Sequence, residues 1–149
     1  MTPSVLVVCT GNICRSPMAE GLLRAQAERT GAELTVASAG LSALVDHPAD
    51  PVAVELMAAE GIDISSHRAR QLEPAVFRNF ELLLAMTQGQ VDWVVHAWPE
   101  TRGRIFRWGE WQDLDVDDPY RHGRPAFERA LGDLKQALPD WTARLDLAD

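Results

Sequence analysis

Short apolar runs alternate along this chain with longer stretches in which apolar residues return every three or four positions. The first run, Val5 to Val8, has no polar alternation, the pattern of a strand that a parallel sheet buries on both faces. Pro17 to about Arg29 predicts a helix with Met18, Leu22 and Ala25 on one stripe, ended by Thr30-Gly31. Glu33 to Ala37 reads as a second strand closed by Ser38-Ala-Gly40, and Leu41 to His47 as a loop. Asp50-Pro51 caps a helix that runs through Glu60 and stops at Gly61. Ile62 to Gln71 is irregular. A short helix over Glu73–Asn79 precedes a third buried strand, Phe80–Ala85. Thr87 and Gln90 have capping-box spacing and open a helix to about Ala97. Arg104–Trp108 predicts a fourth strand, Gly109–Tyr120 an acidic loop, and Arg124–Leu147 a long helix kinked or broken near Pro139.

Repeated β-α-β units predict an α/β three-layer sandwich, a parallel sheet with helices on both faces. In such sheets ligands bind beyond the carboxyl ends of the strands, at a switch point. The chain of 149 residues fits one domain, residues 1–149, with 46% hydrophobic and 24% charged residues. Acids exceed bases by 22 to 14, a net charge of −8, which argues against nucleic acid or an acidic membrane as partner. No apolar run approaches membrane-spanning length, and no signal-peptide pattern opens the sequence. With only two cysteines, the expected location is a reducing cytoplasm. The five tryptophans, Trp93, Trp98, Trp108, Trp111 and Trp141, are expected in packing rather than on a binding platform.

The junction between the first strand and the first helix carries the chemistry. Gly11 and Asn12 tolerate a left-handed backbone, Ser16 suits an N-cap, and Pro17 suits the first helical position. The loop amides then converge on one point at the positive end of a helix, forming an anion cradle. Cys9 lies on one lip and Arg15 on the other. Surroundings of that kind favour a thiolate, which is a nucleophile at neutral pH. Arg15 offers a planar fork for two phosphate oxygens, and Ser16 a hydroxyl for the sulfur. A Cys-x4-Cys pair suggests zinc, yet no second ligand cluster follows and the histidines are scattered, so no metal and no cofactor is expected. His47, His96 and His122 read as surface or packing residues.

The octapeptide Cys9-Thr-Gly-Asn-Ile-Cys-Arg-Ser16 resembles the signature of the low-molecular-weight protein tyrosine phosphatases. Ser38-Ala-Gly40, Ser66-His-Arg-Ala-Arg-Gln71 and Asp118-Pro-Tyr120 are similar to further landmarks, in family order. The stretches Ser38-Ala-Gly-Leu-Ser-Ala-Leu44 and Asp118-Pro-Tyr-Arg121 resemble the bacterial branch encoded beside exopolysaccharide tyrosine kinases. The resemblance implies a strand order of 2-1-3-4. It also implies Cys9 as nucleophile, Arg15 as phosphate ligand and Asp118 as general acid, with Asp117 able to share the proton. Thr10, Gly11, Asn12, Ile13, Cys14 and Ser16 would form the phosphate loop, Ile13 and Tyr120 the walls, and Leu41 and Leu44 the outer rim. Ser38 and His67 would support Asn12. Cys14 is either a redox partner of Cys9 or a small packing residue. Implied ligands are phosphate, vanadate and a phosphotyrosine protein, by resemblance a bacterial tyrosine autokinase of polysaccharide export, with no membrane insertion.

Two other readings fit parts of the sequence. An arsenate reductase shares this kind of loop, but the thioredoxin-coupled type needs cysteines beyond Cys9 and Cys14, and the intact Asp118-Pro-Tyr120 favours ester hydrolysis. A non-catalytic phosphopeptide-binding module would lack the nucleophile or the acid, and both are present.

Overall fold

The computed structural model describes residues 2–147. Its centre is β1 (Ser4–Cys9), paired in parallel with β2 (Thr35–Gly40) on one side and β3 (Leu82–Ala85) on the other. Outside β3 lies β4 (Ile105–Arg107), also parallel, so the order is 2-1-3-4 as expected. The pleat of β1 divides the core. Val5, Val7 and Cys9 face one cluster, packed with α1 (Arg15–Thr30), α2 (Pro51–Ala59) and α5 (Arg124–Arg144). Leu6 and Val8 face the other, with α3 (Pro74–Phe77) and α4 (Gln88–Ala97). Each large aliphatic side chain so buried contributes about 1.5–3 kcal/mol. β1 is thereby held from four sides, and its carboxyl end is a rigid point from which to launch a loop.

The capping signals at Asp50 and at Thr87 and Gln90 act as read. Asp50 accepts from the Val52 N–H at 2.9 Å, and Thr87 and Gln90 form a reciprocal capping box. Gly31 and Gly61 end α1 and α2 at φ 72° and 78°.

Several boundaries differ from the sequence reading. α1 begins at Arg15, two residues early, with Cys14 as N-cap, because the Ser16 hydroxyl bonds Asn12 and Cys9 instead of capping. β2 covers 35–40 rather than 33–37, so Ser38-Ala-Gly40 is strand, paired with Val7, Val8 and Cys9. Small residues make a weak strand signal, yet glycine is required at position 40: a Cβ there would lie 2.7 Å from the Thr10 carbonyl oxygen. β3 starts at Leu82 rather than Phe80. The expected break at Pro139 is absent, and α5 runs on to Arg144. Pro139 and Lys135 are exposed, so the Lys135 carbonyl that loses its N–H partner faces solvent. Of the tryptophans, Trp108 and Trp141 are buried, whereas Trp93 and Trp111 are half exposed, resting edge-on against Trp98 and Trp141. Among the described residues no helix is long and apolar enough to cross a membrane.

Candidate active site

The turn from β1 into α1 is fixed by one side chain. Asn12 takes the left-handed conformation, φ 60°, which asparagine tolerates better than most residues. It is fully buried and every polar atom of its side chain is used. Its amide nitrogen donates to Ser16 Oγ at 2.7 Å and Ser38 Oγ at 2.9 Å, and its Oδ1 accepts from the Arg70 backbone N–H at 2.9 Å. That N–H can only donate, which fixes the orientation of the amide. The Asn12 carbonyl accepts from His67 Nε2 at 2.6 Å, so Nε2 of that ring carries a hydrogen.

The same chain of bonds aims a hydroxyl at the sulfur. Ser16 Oγ receives a hydrogen from Asn12 and lies 3.0 Å from Cys9 Sγ, leaving its own hydrogen for the sulfur. Ser38 likewise receives from Asn12 and donates to Glu20 Oε1 at 2.6 Å, and Glu20 is paired with Arg24 at 2.7 Å. No sequence signal marks Glu20, and Arg70 stands out only as part of the Ser66–Gln71 landmark, because their partners lie across β2 and the irregular segment. Gln90 adds another brace: its amide reaches Thr10 Oγ1 at 3.3 Å, a second use of the capping-box residue.

Arg15 is 2% exposed. Its Nη1 donates to the Val116 carbonyl at 2.8 Å, its Nη2 lies 3.8 Å from Asp118 Oδ2, and its Nε is buried without a partner. An orphaned guanidinium donor in the cavity that Cys9 also lines matches an oxyanion. Cys9, Thr10, Gly11, Ile13, Cys14 and Arg15 line a cavity of about 140 Å³, closed by Ser42, Leu44, Asp118 and Tyr120. Gly11 does not adopt a positive φ, and a Cβ there would make ordinary contact with Ile13 at 3.8 Å and Leu44 at 4.0 Å. Asp118 Oδ1 accepts from the Tyr120 N–H at 3.1 Å, and the Arg121 guanidinium lies over the Tyr120 ring at 5.1 Å.

Some residues stand elsewhere than the sequence suggested. Leu41 does not line the cavity but packs on the opposite face of the sheet, so the rim is formed by Ser42 and Leu44. Gln71 sets that path by accepting from the Ala43 N–H and donating to the Leu41 carbonyl. Asn12 and Ser16 lie beneath the lining. Asp117 does not border the cavity; it lines a neighbouring depression with Arg129 and Asp133, and burial followed by the Asp117 charge raises the Asp133 carboxyl. Cys14 is 4% exposed, and burial, reinforced by Cys9, pushes its thiol up. A larger groove behind the loop, about 560 Å³, is lined by the supporting groups Glu20, Ser38, His67 and Arg70 and does not reach the sulfur. Among the described residues no three His, Cys, Asp or Glu side chains gather as a metal site.

Residues 4–148 match the family model described as low molecular weight phosphotyrosine protein phosphatase. The chain is 45% identical over 145 residues to a probable low molecular weight protein-tyrosine-phosphatase, EpsP, of Ralstonia solanacearum, covering 97% of each chain. It superposes on Vibrio vulnificus Wzb in complex with benzylphosphonate with TM-score 0.90 and 35% identity, covering 97% and 100% of the two chains. The arginine phosphatase YwlE, solved as a Cys→Ser mutant with a phosphorylated active-site serine, superposes with TM-score 0.89 and 30% identity, covering 96% and 95%. Full-length similarity of this kind, joined to the cysteine-and-arginine loop, leads to one statement: this chain belongs to the low molecular weight phosphotyrosine protein phosphatase family, in the bacterial branch that its sequence resembles.

Proposed function

We propose that this protein-tyrosine phosphatase works through a cysteinyl phosphate. The observation that carries the reading is the cavity that joins Cys9 Sγ, the buried Arg15 with its free Nε, and Asp118 at the mouth. The Cys9 thiolate attacks phosphorus in line while Arg15 and the loop amides hold the non-bridging oxygens. The P–O bond to the phenol breaks, and the leaving oxygen takes the proton from Asp118. Water then attacks the phosphocysteine, giving its proton back to Asp118, and the S–P bond breaks to release phosphate. The Ser16 hydroxyl stabilises the departing thiolate. Positive charge comes from the loop and Arg15, so the reaction needs neither metal nor cofactor. The phosphorylated serine in the YwlE mutant supports a covalent intermediate, and benzylphosphonate in Wzb supports an aryl phosphate as ligand.

The walls favour phosphotyrosine over phosphoarginine. Ile13, Leu44 and Tyr120 offer apolar surface to a phenyl ring, with stacking on Tyr120 contributing about 0.5–1.5 kcal/mol, whereas a guanidinium would lose hydration against them. The proposed physiological substrate is the phosphotyrosine tail of a tyrosine autokinase that controls exopolysaccharide export, acting in the cytoplasm, with phosphate and vanadate as competitive ligands. The test is turnover of a phosphotyrosine tail peptide against a phosphoarginine peptide, with and without chelator. Preference for phosphotyrosine, unchanged by chelation, is expected; preference for phosphoarginine, or chelator inhibition reversed by zinc or magnesium, overturns the reading.

Both thiols are free and border the same cavity. Peroxide oxidation of Cys9 to a sulfenic acid, followed by attack of the Cys14 sulfur with loss of water, gives a disulfide that a dithiol reduces. Cys14→Ser should stay active yet lose recovery after peroxide; full recovery makes Cys14 a packing residue only.

A further inference from the structure

The loop that carries Asp118 contains five acids between positions 110 and 118: Glu110, Asp113, Asp115, Asp117 and Asp118. Left to themselves they repel one another. A single side chain gathers three of them. Arg107, at the end of β4, is 12% exposed; its Nη2 bonds Asp113 Oδ1 at 2.7 Å and its Nη1 bonds Asp115 Oδ1 at 3.0 Å. Its Nε makes no hydrogen bond but lies within ion-pair distance of Glu110 Oε2 at 3.5 Å, and its backbone N–H donates to the same oxygen at 3.3 Å. The bonds to Asp113 and Asp115 hold the guanidinium firmly charged.

The grip acts at strained and connected points. Asp113 has φ 47°, a left-handed conformation at some local cost, though aspartate adopts it more readily than most residues. Asp115 Oδ1 also accepts from the Gln88 N–H at the start of α4, at 3.0 Å. Next in sequence, Val116 donates its N–H to the Met86 carbonyl at 2.9 Å and turns its own carbonyl to Arg15. Asp118 follows two residues on. Arg107 thus ends its hold one residue before the carbonyl that braces Arg15 and three before the carboxyl at the cavity mouth.

We propose that Arg107 is a positioning residue for the phosphatase reaction: by gathering Glu110, Asp113 and Asp115 it sets the path on which Val116 meets Arg15 and Asp118 meets the leaving group. This rests on the reading of Asp118 as proton donor. Arg107 touches no substrate and acts through the loop alone.

The experiment compares kcat/KM, which reports the first chemical step, for phenyl phosphate and 4-nitrophenyl phosphate. Arg107→Met keeps the side-chain stem and removes the fork. It should lose about tenfold on phenyl phosphate and about twofold or less on nitrophenyl phosphate, a fraction of the 10²–10⁴ that a general acid supplies. Arg107→Lys, a point charge able to serve fewer carboxylates at once, should recover part of the loss. Misfolding alone would cost the same factor on both substrates. Asp118→Asn runs in parallel. If it discriminates between the leaving groups and a folded Arg107→Met does not, the positioning role is overturned and the acid stands. If Asp118→Asn does not discriminate, both fall. Should Arg107→Met fail to fold, the Asp113→Asn/Asp115→Asn variant tests the clamp from its exposed side; a selective loss supports it and an equal loss on both substrates overturns it.

Discussion

The phosphate loop and the acid loop meet at one cavity but are held by opposite means. Residues 12–16 are buried, and Asn12 ties them with short hydrogen bonds to Ser16, Ser38, Arg70 and His67. Residues 110–118 are largely exposed, with the Asp113 side chain 94% accessible, and ion pairs to Arg107 hold them. A buried network loses about 1–3 kcal/mol for each donor left unpaired, so it tolerates no slack. Exposed ion pairs are weak one by one, generally about 0–1 kcal/mol, and salt screens them. The difference follows the task. Oxyanion binding needs donors fixed before the ligand arrives, whereas a proton donor must stay within reach of water for the second step.

Breaking the buried side should have the larger effects. Cys9→Ser should fold normally, as thermal melting would show, and lose measurable turnover, because a serine hydroxyl is not ionised at neutral pH. Retention of more than a few per cent of activity would sink the covalent mechanism.

On the exposed side, Asp118→Asn should lower kcat/KM on phenyl phosphate by about 10²–10⁴, with a smaller loss on nitrophenyl phosphate. Equal losses would move the proton donor elsewhere.

Asn12→Ala sharpens the contrast through stability. It leaves the Arg70 N–H and the Ser16 and Ser38 hydroxyls short of partners and places alanine at a left-handed φ. Denaturant unfolding should show a loss larger than the about 1–3 kcal/mol of one such group, about 3–5 kcal/mol in all. Vanadate affinity should fall with it. Normal stability would mean that the loop is held by its other contacts.

The smallest effect belongs to Asp117. Asp117→Asn should change activity by no more than about a factor of two, the size of an ordinary surface substitution. Its signature is elsewhere: removing its charge should lower the Asp133 carboxyl part of the way, burial keeping the rest of the rise, readable by NMR titration. Because folding raises Asp133, its ionisation opposes folding above the unfolded value of about 3.9. Asp133→Asn should therefore stabilise the protein near neutrality, with the gain fading as pH falls from the raised folded value toward about 3.9 and gone below it. If Asp117→Asn rivals Asp118→Asn in lost activity, the two aspartates exchange roles.

The local rules of the chain settled much by themselves. The apolar run of β1, the Cys9–Ser16 loop, the Asp50 cap and the Thr87–Gln90 box are all written within a few residues, because strand burial, left-handed turns and helix caps depend on near neighbours. The strand order came with the family resemblance, and the sheet shows it. Tertiary structure decided what near neighbours cannot. Ser38-Ala-Gly40 became strand because it pairs with Val7, Val8 and Cys9 of β1, and Thr10 approaches Gly40 too closely for any side chain there. Leu44 rather than Leu41 came to the rim because Gln71, 27 or more positions away by chain order, fixes the intervening backbone from both sides. The partner of Arg15 on Val116 is a main-chain carbonyl, which every residue possesses, so no side-chain pattern could mark it. Arg107 was one basic residue on a predicted strand until the fold set it beneath three carboxylates, since the ends of parallel strands meet their loops only in space.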